Sequence, residues 1–162
     1  MPDSLRLGKI AGIDIYAHLS WFIILVLLTW SLASGWYAQL FPGWAKTTYW
    51  IVAFISALLL FGCVLVHELA HALVAQAAGT TVRNIALYVF GGVAHIEEDM
   101  KSPGVEFRVA IVGPIASFLL AGVAFLLVLP LRGSGASAEA VLDYLAVANF
   151  LLEVFNLLCD LL

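Results

Sequence analysis

Charge is what this sequence has least of. Seven Lys or Arg and eleven Asp or Glu in 162 residues make 11%, against about 25% in soluble domains, while 64% of the chain is apolar. That balance excludes a disordered chain and an ordinary water-facing fold. The cations, Arg6, Lys9, Lys46, Arg83, Lys101, Arg108 and Arg132, are scattered, so no basic patch is offered to nucleic acid. Cysteine is scarce too. Cys63 and Cys159 lie in apolar runs without CxxC spacing, which excludes a disulfide framework and reads as packing. Internal repeats and low-complexity tracts are absent.

What abounds is long apolar sequence. A mean hydropathy of +1.06 over 17.5 kDa calls for a lipid bilayer as solvent. Four stretches, about 19–35, 49–78, 107–131 and 140–162, can each cross a hydrocarbon core of about 30 Å at about 1.5 Å per helical residue. The expected fold class is an all-α polytopic membrane protein, one domain over 1–162, with four transmembrane helices and a small membrane-associated β-hairpin or sheet. Pro42-Gly43 and the Gly/Ser stretch 132–137 mark short connections. If the spans alternate, the N-terminal side carries five cations and the other side only Lys46 and Arg132, which puts the N-terminus of a multi-pass cell-membrane protein in the cytoplasm. A cleavable leader ending near Ala33-Ser34-Gly35 is disfavoured, since Asp3 and Asp14 would precede its apolar core.

Residues 82–98 are rich in β-branched and aromatic side chains and are broken by Gly91-Gly92, which predicts two strands turning at that pair. Their apolar character implies that the hairpin dips to the membrane face, with its free edge covered by protein or paired with a partner strand. Residues 10–16 suggest another strand. Trp21, Trp30, Trp36, Trp44 and Trp50 cluster around the ends of the first two spans as interfacial anchors. Gly113, Ser117 and Ala121 form a small-residue stripe, read as a helix-packing face beside a kink at Pro114. His18 reads as interface or strand packing, and His95 as loop polarity.

Chemistry enters at His67-Glu68-Leu69-Ala70-His71, an HExxH late in the second span. Residues four apart share a helix face, so both imidazoles can reach one Zn²⁺, while Glu68, about 100° round, is placed as general base toward a water at an open coordination position. Ionisable groups inside a span cost about 2.5–3.5 kcal/mol each on insertion scales, which argues against ornamental polarity. Cys63, four residues before His67, is about 12 Å in rise from His71 and cannot share its ion. Asn149, Glu153, Asn156 and Asp160 lie on one face of the fourth span, which either packs toward the histidines and supplies a third ligand or makes interhelical hydrogen bonds.

With HELAH in the second span, Gly91-Gly92-Val93 in the hairpin, Gly113-Pro114 in the third span and Val154-Phe155-Asn156-Leu157-Leu158 in the fourth, the chain resembles the site-2 protease family of intramembrane zinc metalloproteases. The opening Gly12-Ile13-Asp14-Ile15-Tyr16-Ala17-His18 resembles that family's N-terminal strand. The resemblance implies a zinc cofactor held by His67 and His71, Glu68 as general base and Asn156 as a substrate-backbone or transition-state contact. It further implies that the hairpin at Gly91 and Gly92 holds an unwound substrate as an added strand. The substrate implied is a transmembrane-helix protein, cut within the lipid bilayer. One departure stands out: the family's Asp-Gly pair, which supplies the third ligand, is absent, and the chain reads Cys159-Asp160-Leu161-Leu162. The expectation is a chain truncated before that motif, or one in which Asp160 substitutes. The alternative function is a catalytically incompetent protein of the same fold that binds helices or a partner. A zinc transporter fits less well, because the polar groups gather at one depth instead of lining a path. Substrate identity and oligomeric state are open at this point.

Overall fold

The computed structural model describes residues 3–89, 91–96 and 102–161, side chains at 96 and 158–161 excepted. Helix α1 (Leu19–Ser31) runs on through a π-helical turn, Leu32–Trp36, into the short α2 (Tyr37–Leu40). Then follow α3 (Lys46–Ala77), α4 (Pro103–Val128) and α5 (Ser137–Leu161). Four segments, Leu19–Leu40, Lys46–Ala77, Pro103–Leu131 and Ser137–Leu157, are long and apolar enough to cross a membrane. The first outlasts its apolar run because the π turn carries the helix past Gly35. Hydroxyls in this span turn back on the helix: Thr29 Oγ1 donates to Leu25 O and Ser34 Oγ to Trp30 O, each at 2.7 Å, which hides their polarity from lipid.

The chain clusters into two compact units, one of Met1–Ile23 with Val64–Ser117, the other of Ile24–Cys63 with Phe118–Leu162. The first is built on a four-stranded sheet in sequence order, β1 (Ser4–Ile10), β2 (Ile13–His18), β3 (Val82–Tyr88) and β4 (Gly91–Ile96). β1–β2 and β3–β4 are antiparallel hairpins, joined by the parallel pair β2–β3. Two expectations need correcting. The strand expected over 10–16 is interrupted by a turn at Ala11-Gly12, whose φ values of 50° and 84° are those of a type I′ turn, the hand that suits strand twist. Gly91-Gly92 is not the turn of the second hairpin. It opens β4, with Gly91 facing Tyr88 and Gly92 facing Leu87.

β2 alternates buried and half-buried residues, and Ile13 and Ile15 share a core with Val82 and Ile85 of β3, Ala72 and Ala75 of α3 and Val109 of α4. Each isoleucine so buried stabilises the unit by roughly 1.5–3 kcal/mol. The small alanines let the helix lie close to the sheet. His18 closes β2 by accepting the Ser20 backbone N–H at Nδ1 (3.2 Å), with its ring against Tyr88. His95, expected in a loop, lies instead in β4, paired with Asn84, with its side chain exposed.

In the second unit the core gathers around Tyr37, which is fully buried and shares a 2.6 Å hydrogen bond with Ser56 Oγ. The turn into α5 is held by Glu139, whose carboxylate accepts the N–H groups of Gly133 (2.7 Å) and Gly135 (2.8 Å) and the Ser134 hydroxyl (3.1 Å), a cap reaching back from the first helical turn. Trp30, Trp36 and Trp50 are exposed as anchors should be, whereas Trp21 is buried and Trp44 stacks on Phe41. On α5, Asn149 and Glu153 are buried and Asn156 is exposed; the Asp160 side chain lies outside the described residues. Asn149 Nδ2 donates to Leu145 O, and the Asn149 side chain also hydrogen-bonds the Cys63 thiol, so this cysteine has a polar partner in addition to its packing.

Candidate metal centre

The HExxH turn lies in the part of α3 that belongs to the sheet-bearing unit. One helical turn apart, the rings of His67 and His71 sit 4.7 Å between centroids, with their Nε2 atoms 2.9 Å apart. Both rings are steered by α4. His71 Nδ1 is 2.6 Å from the carbonyl oxygen of Val109. A carbonyl only accepts, so Nδ1 carries the proton and Nε2 presents a lone pair toward His67. His67 Nδ1 is 2.9 Å from Ser117 Oγ.

Val109 and Ser117 lie four residues either side of Gly113, on one face of α4, and Gly113 is the floor beneath the imidazoles. A Cβ there would overlap the His71 ring and come within 2.7 Å of His67 Nε2. The small-residue stripe is therefore a packing face as expected, but at Gly113 and Ser117 what it packs is the histidine pair. Pro114, next in sequence, has no N–H to give the carbonyl of Ala110, the reason a proline loosens a helix at this point.

Glu68 lies against Gly92 of β4, where an added Cβ would overlap its Cγ and lie 2.9 Å from its Cδ. Among the described residues β4 is the last strand of the sheet, with β3 as its strand neighbour, so the carboxylate stands beside a sheet edge. The structure thus brings His67, Glu68, His71 and Gly92 together. Gly91 stands next to Gly92 with φ of 134°, a value only glycine holds readily, and Asn156 belongs to the other unit with an exposed side chain. Sequence reasoning missed Val109 and Ser117 as partners of the imidazoles. The i, i+4 spacing of Gly113 and Ser117 was the available signal, and only the packing partner was lacking.

Tetrahedral zinc with Zn–N of about 2.0–2.1 Å holds two nitrogens about 3.3 Å apart, so a pair of Nε2 atoms at 2.9 Å with both Nδ1 atoms engaged fits such an ion with a small adjustment. Among the described residues no cluster of three His, Cys, Asp or Glu side chains completes the site.

The sequence model of peptidase family M50 matches residues 54–136, half of the chain, and that match spans the histidine pair, Glu68, Gly92 and the α4 stripe. The chain belongs to peptidase family M50, the site-2 protease family. The structure of the site-2 protease from Methanocaldococcus jannaschii superposes on this M50 chain with a TM-score of 0.66 at 30% identity, covering 95% of the chain and 64% of that protein. Two bacterial relatives each bear the name "putative zinc metalloprotease": sll0528 of Synechocystis sp., 40% identical, and Rip3 of Mycobacterium tuberculosis, 39% identical. Each alignment covers 98% of the chain and 41% and 40% of the respective relatives, so the chain spans about two fifths of their length.

Proposed function

We propose that the chain carries the centre of an intramembrane zinc endopeptidase that cuts transmembrane segments of other membrane proteins. The observation that supports this most is the convergence of two imidazole Nε2 atoms within a membrane-length helix, with Glu68 one position along and a sheet edge beside it. A zinc ion held by His67 and His71 would supply Lewis-acid chemistry, acidifying a water and polarising the scissile carbonyl. Glu68 takes the proton of the attacking water and delivers it to the leaving amine. A transmembrane helix hides its peptide bonds, so the substrate has to unwind before it can be cut. The edge of β4 at Gly91 and Gly92 offers main-chain partners to the strand so formed. Asn156, by its place in the family motif, serves as a substrate contact, and an acidic third ligand comes from Asp160 or from outside this chain. The N-terminus lies in the cytoplasm, because with alternating spans its side carries five of the seven cations.

The second reading is a helix-binding or partner-binding protein of the same fold without catalysis. Zinc content decides between them. Detergent-purified chain equilibrated with buffered zinc should hold near-stoichiometric metal and lose it in His67→Ala, His71→Ala and the variant of the true third ligand, with Asp160→Ala the first to make. Glu68→Gln should keep the metal and abolish cleavage of a reporter transmembrane helix. Zinc that is absent, or indifferent to His67, refutes the reading in which this chain by itself carries the catalytic centre.

A further inference from the structure

We propose that Ser117 is a positioning residue, fixing the ring and tautomer of His67 by a hydrogen bond whose direction can reverse. The inference rests on the zinc reading above. Its geometry is the asymmetry between the two imidazole anchors: His71 Nδ1 faces the Val109 carbonyl at 2.6 Å, His67 Nδ1 the Ser117 hydroxyl at 2.9 Å. The carbonyl accepts only, so it locks neutral His71 with its proton on Nδ1 and its lone pair on Nε2. That lone pair faces His67 Nε2 at 2.9 Å, a separation that needs a proton or a metal ion between the nitrogens. When a proton fills it, neutral His67 carries that proton on Nε2, its Nδ1 accepts, and Ser117 donates. When a metal ion fills it, His67 moves its proton to Nδ1 and Ser117 accepts. A hydroxyl serves both states because it donates and accepts, whereas a second carbonyl or a carboxylate would serve only the latter.

Burial makes the arrangement specific: Ser117 is 6% exposed, and it lies one turn beyond Gly113, the residue that lets the imidazoles approach α4. Nothing about helix packing requires an oxygen at this position, since Ala121, the next member of the stripe, is buried without one.

The test compares Ser117→Ala, Ser117→Thr and Ser117→Val in the 162-residue chain in detergent. Thr and Val have the same shape and differ by the hydroxyl, so any steric burden cancels between them. Zinc affinity, read by competition with a chromophoric chelator, should fall about 10–100-fold in the Ala and Val variants and stay near the parent in Thr. ¹⁵N spectra of histidine-labelled parent should show His67 protonated at Nε2 before zinc is added and at Nδ1 afterwards, with His71 at Nδ1 throughout. Equal affinities for the Thr and Val variants, or an unchanging His67 tautomer, overturn the proposal while leaving the zinc site standing. Parent chain that binds no zinc through His67 overturns the proposal together with the reading that this chain by itself holds the ion.

Discussion

Gly113→Ala separates fold from site, because the two should move in opposite directions. Alanine in place of glycine inside a helix is worth about 1 kcal/mol in propensity, so α4 itself should gain. The new Cβ, however, would lie 2.5 Å from His71 Cε1 and 2.7 Å from His67 Nε2, where ordinary contact begins at 3.4 Å. The rings must therefore retreat by about 1 Å, and neither is free to do so without stretching its bond to Val109 or Ser117. A misplacement of about 1 Å costs on the order of 10²-fold in rate, equivalent to about 2.7 kcal/mol. The control is Gly122 on the same helix, where a Cβ meets nothing within 4 Å. Thermal melts in detergent, zinc content and reporter cleavage should be read side by side. Gly122→Ala should melt no lower than the parent with its zinc intact, and Gly113→Ala should stay folded while losing zinc and cleavage. A Gly113→Ala chain that binds zinc and cleaves like the parent would refute the placement of the imidazoles over Gly113.

Gly92→Ala pushes on Glu68, whose side chain can swing aside more readily than β4 can move, so this variant should keep its zinc and lose cleavage as Glu68→Gln does; lost zinc would contradict the geometry. Ala11→Asn puts a residue that tolerates left-handed φ at the first turn position of β1–β2, and the melting temperature should rise, by the equivalent of about 0.5–1 kcal/mol; no rise would mean that Ala11 is not held at positive φ. Tyr37→Phe removes the 2.6 Å bond to Ser56 but leaves Ser56 donating to Val52 O, so the loss should be about 1 kcal/mol, read from the same melts; parent-like stability would show that the hydroxyl pair adds nothing.

The helices were legible because a membrane span announces itself by length and hydropathy, and the histidine pair because i, i+4 spacing is local geometry. Part of what failed depended on partners distant in sequence, and part on weak local signals. Gly91-Gly92 reads as a turn because glycine is the usual turn residue, yet Gly92 is needed as empty space for Glu68, a residue 24 positions earlier. Leu5-Arg6-Leu7 alternates as a strand should, but the segment is short, and Ala11 lacks the Asn or Gly that marks a type I′ turn. Trp21 falls at a span end like its fellows and is buried nonetheless, because burial depends on what packs around a site and not on its position along a helix.

The parallel pairing of β2 with β3 also sets an order of assembly. Asp14 meets Asn84 and Ala17 meets Leu87, each pair seventy positions apart. At synthesis rates of about 5–20 residues per second, the N-terminal hairpin waits about 4–14 s for its neighbour, while the whole of α1 and α3 is being made. Through that interval β2 offers bare amides and carbonyls, and Ile13 and Ile15 lack the residues that will bury them. The histidines emerge from the ribosome before the strand pair that joins the two hairpins into one sheet can close. Biogenesis therefore makes the HExxH turn first and the sheet around it second, and a hairpin left alone that long needs the membrane surface or a chaperone to keep its edge from pairing elsewhere.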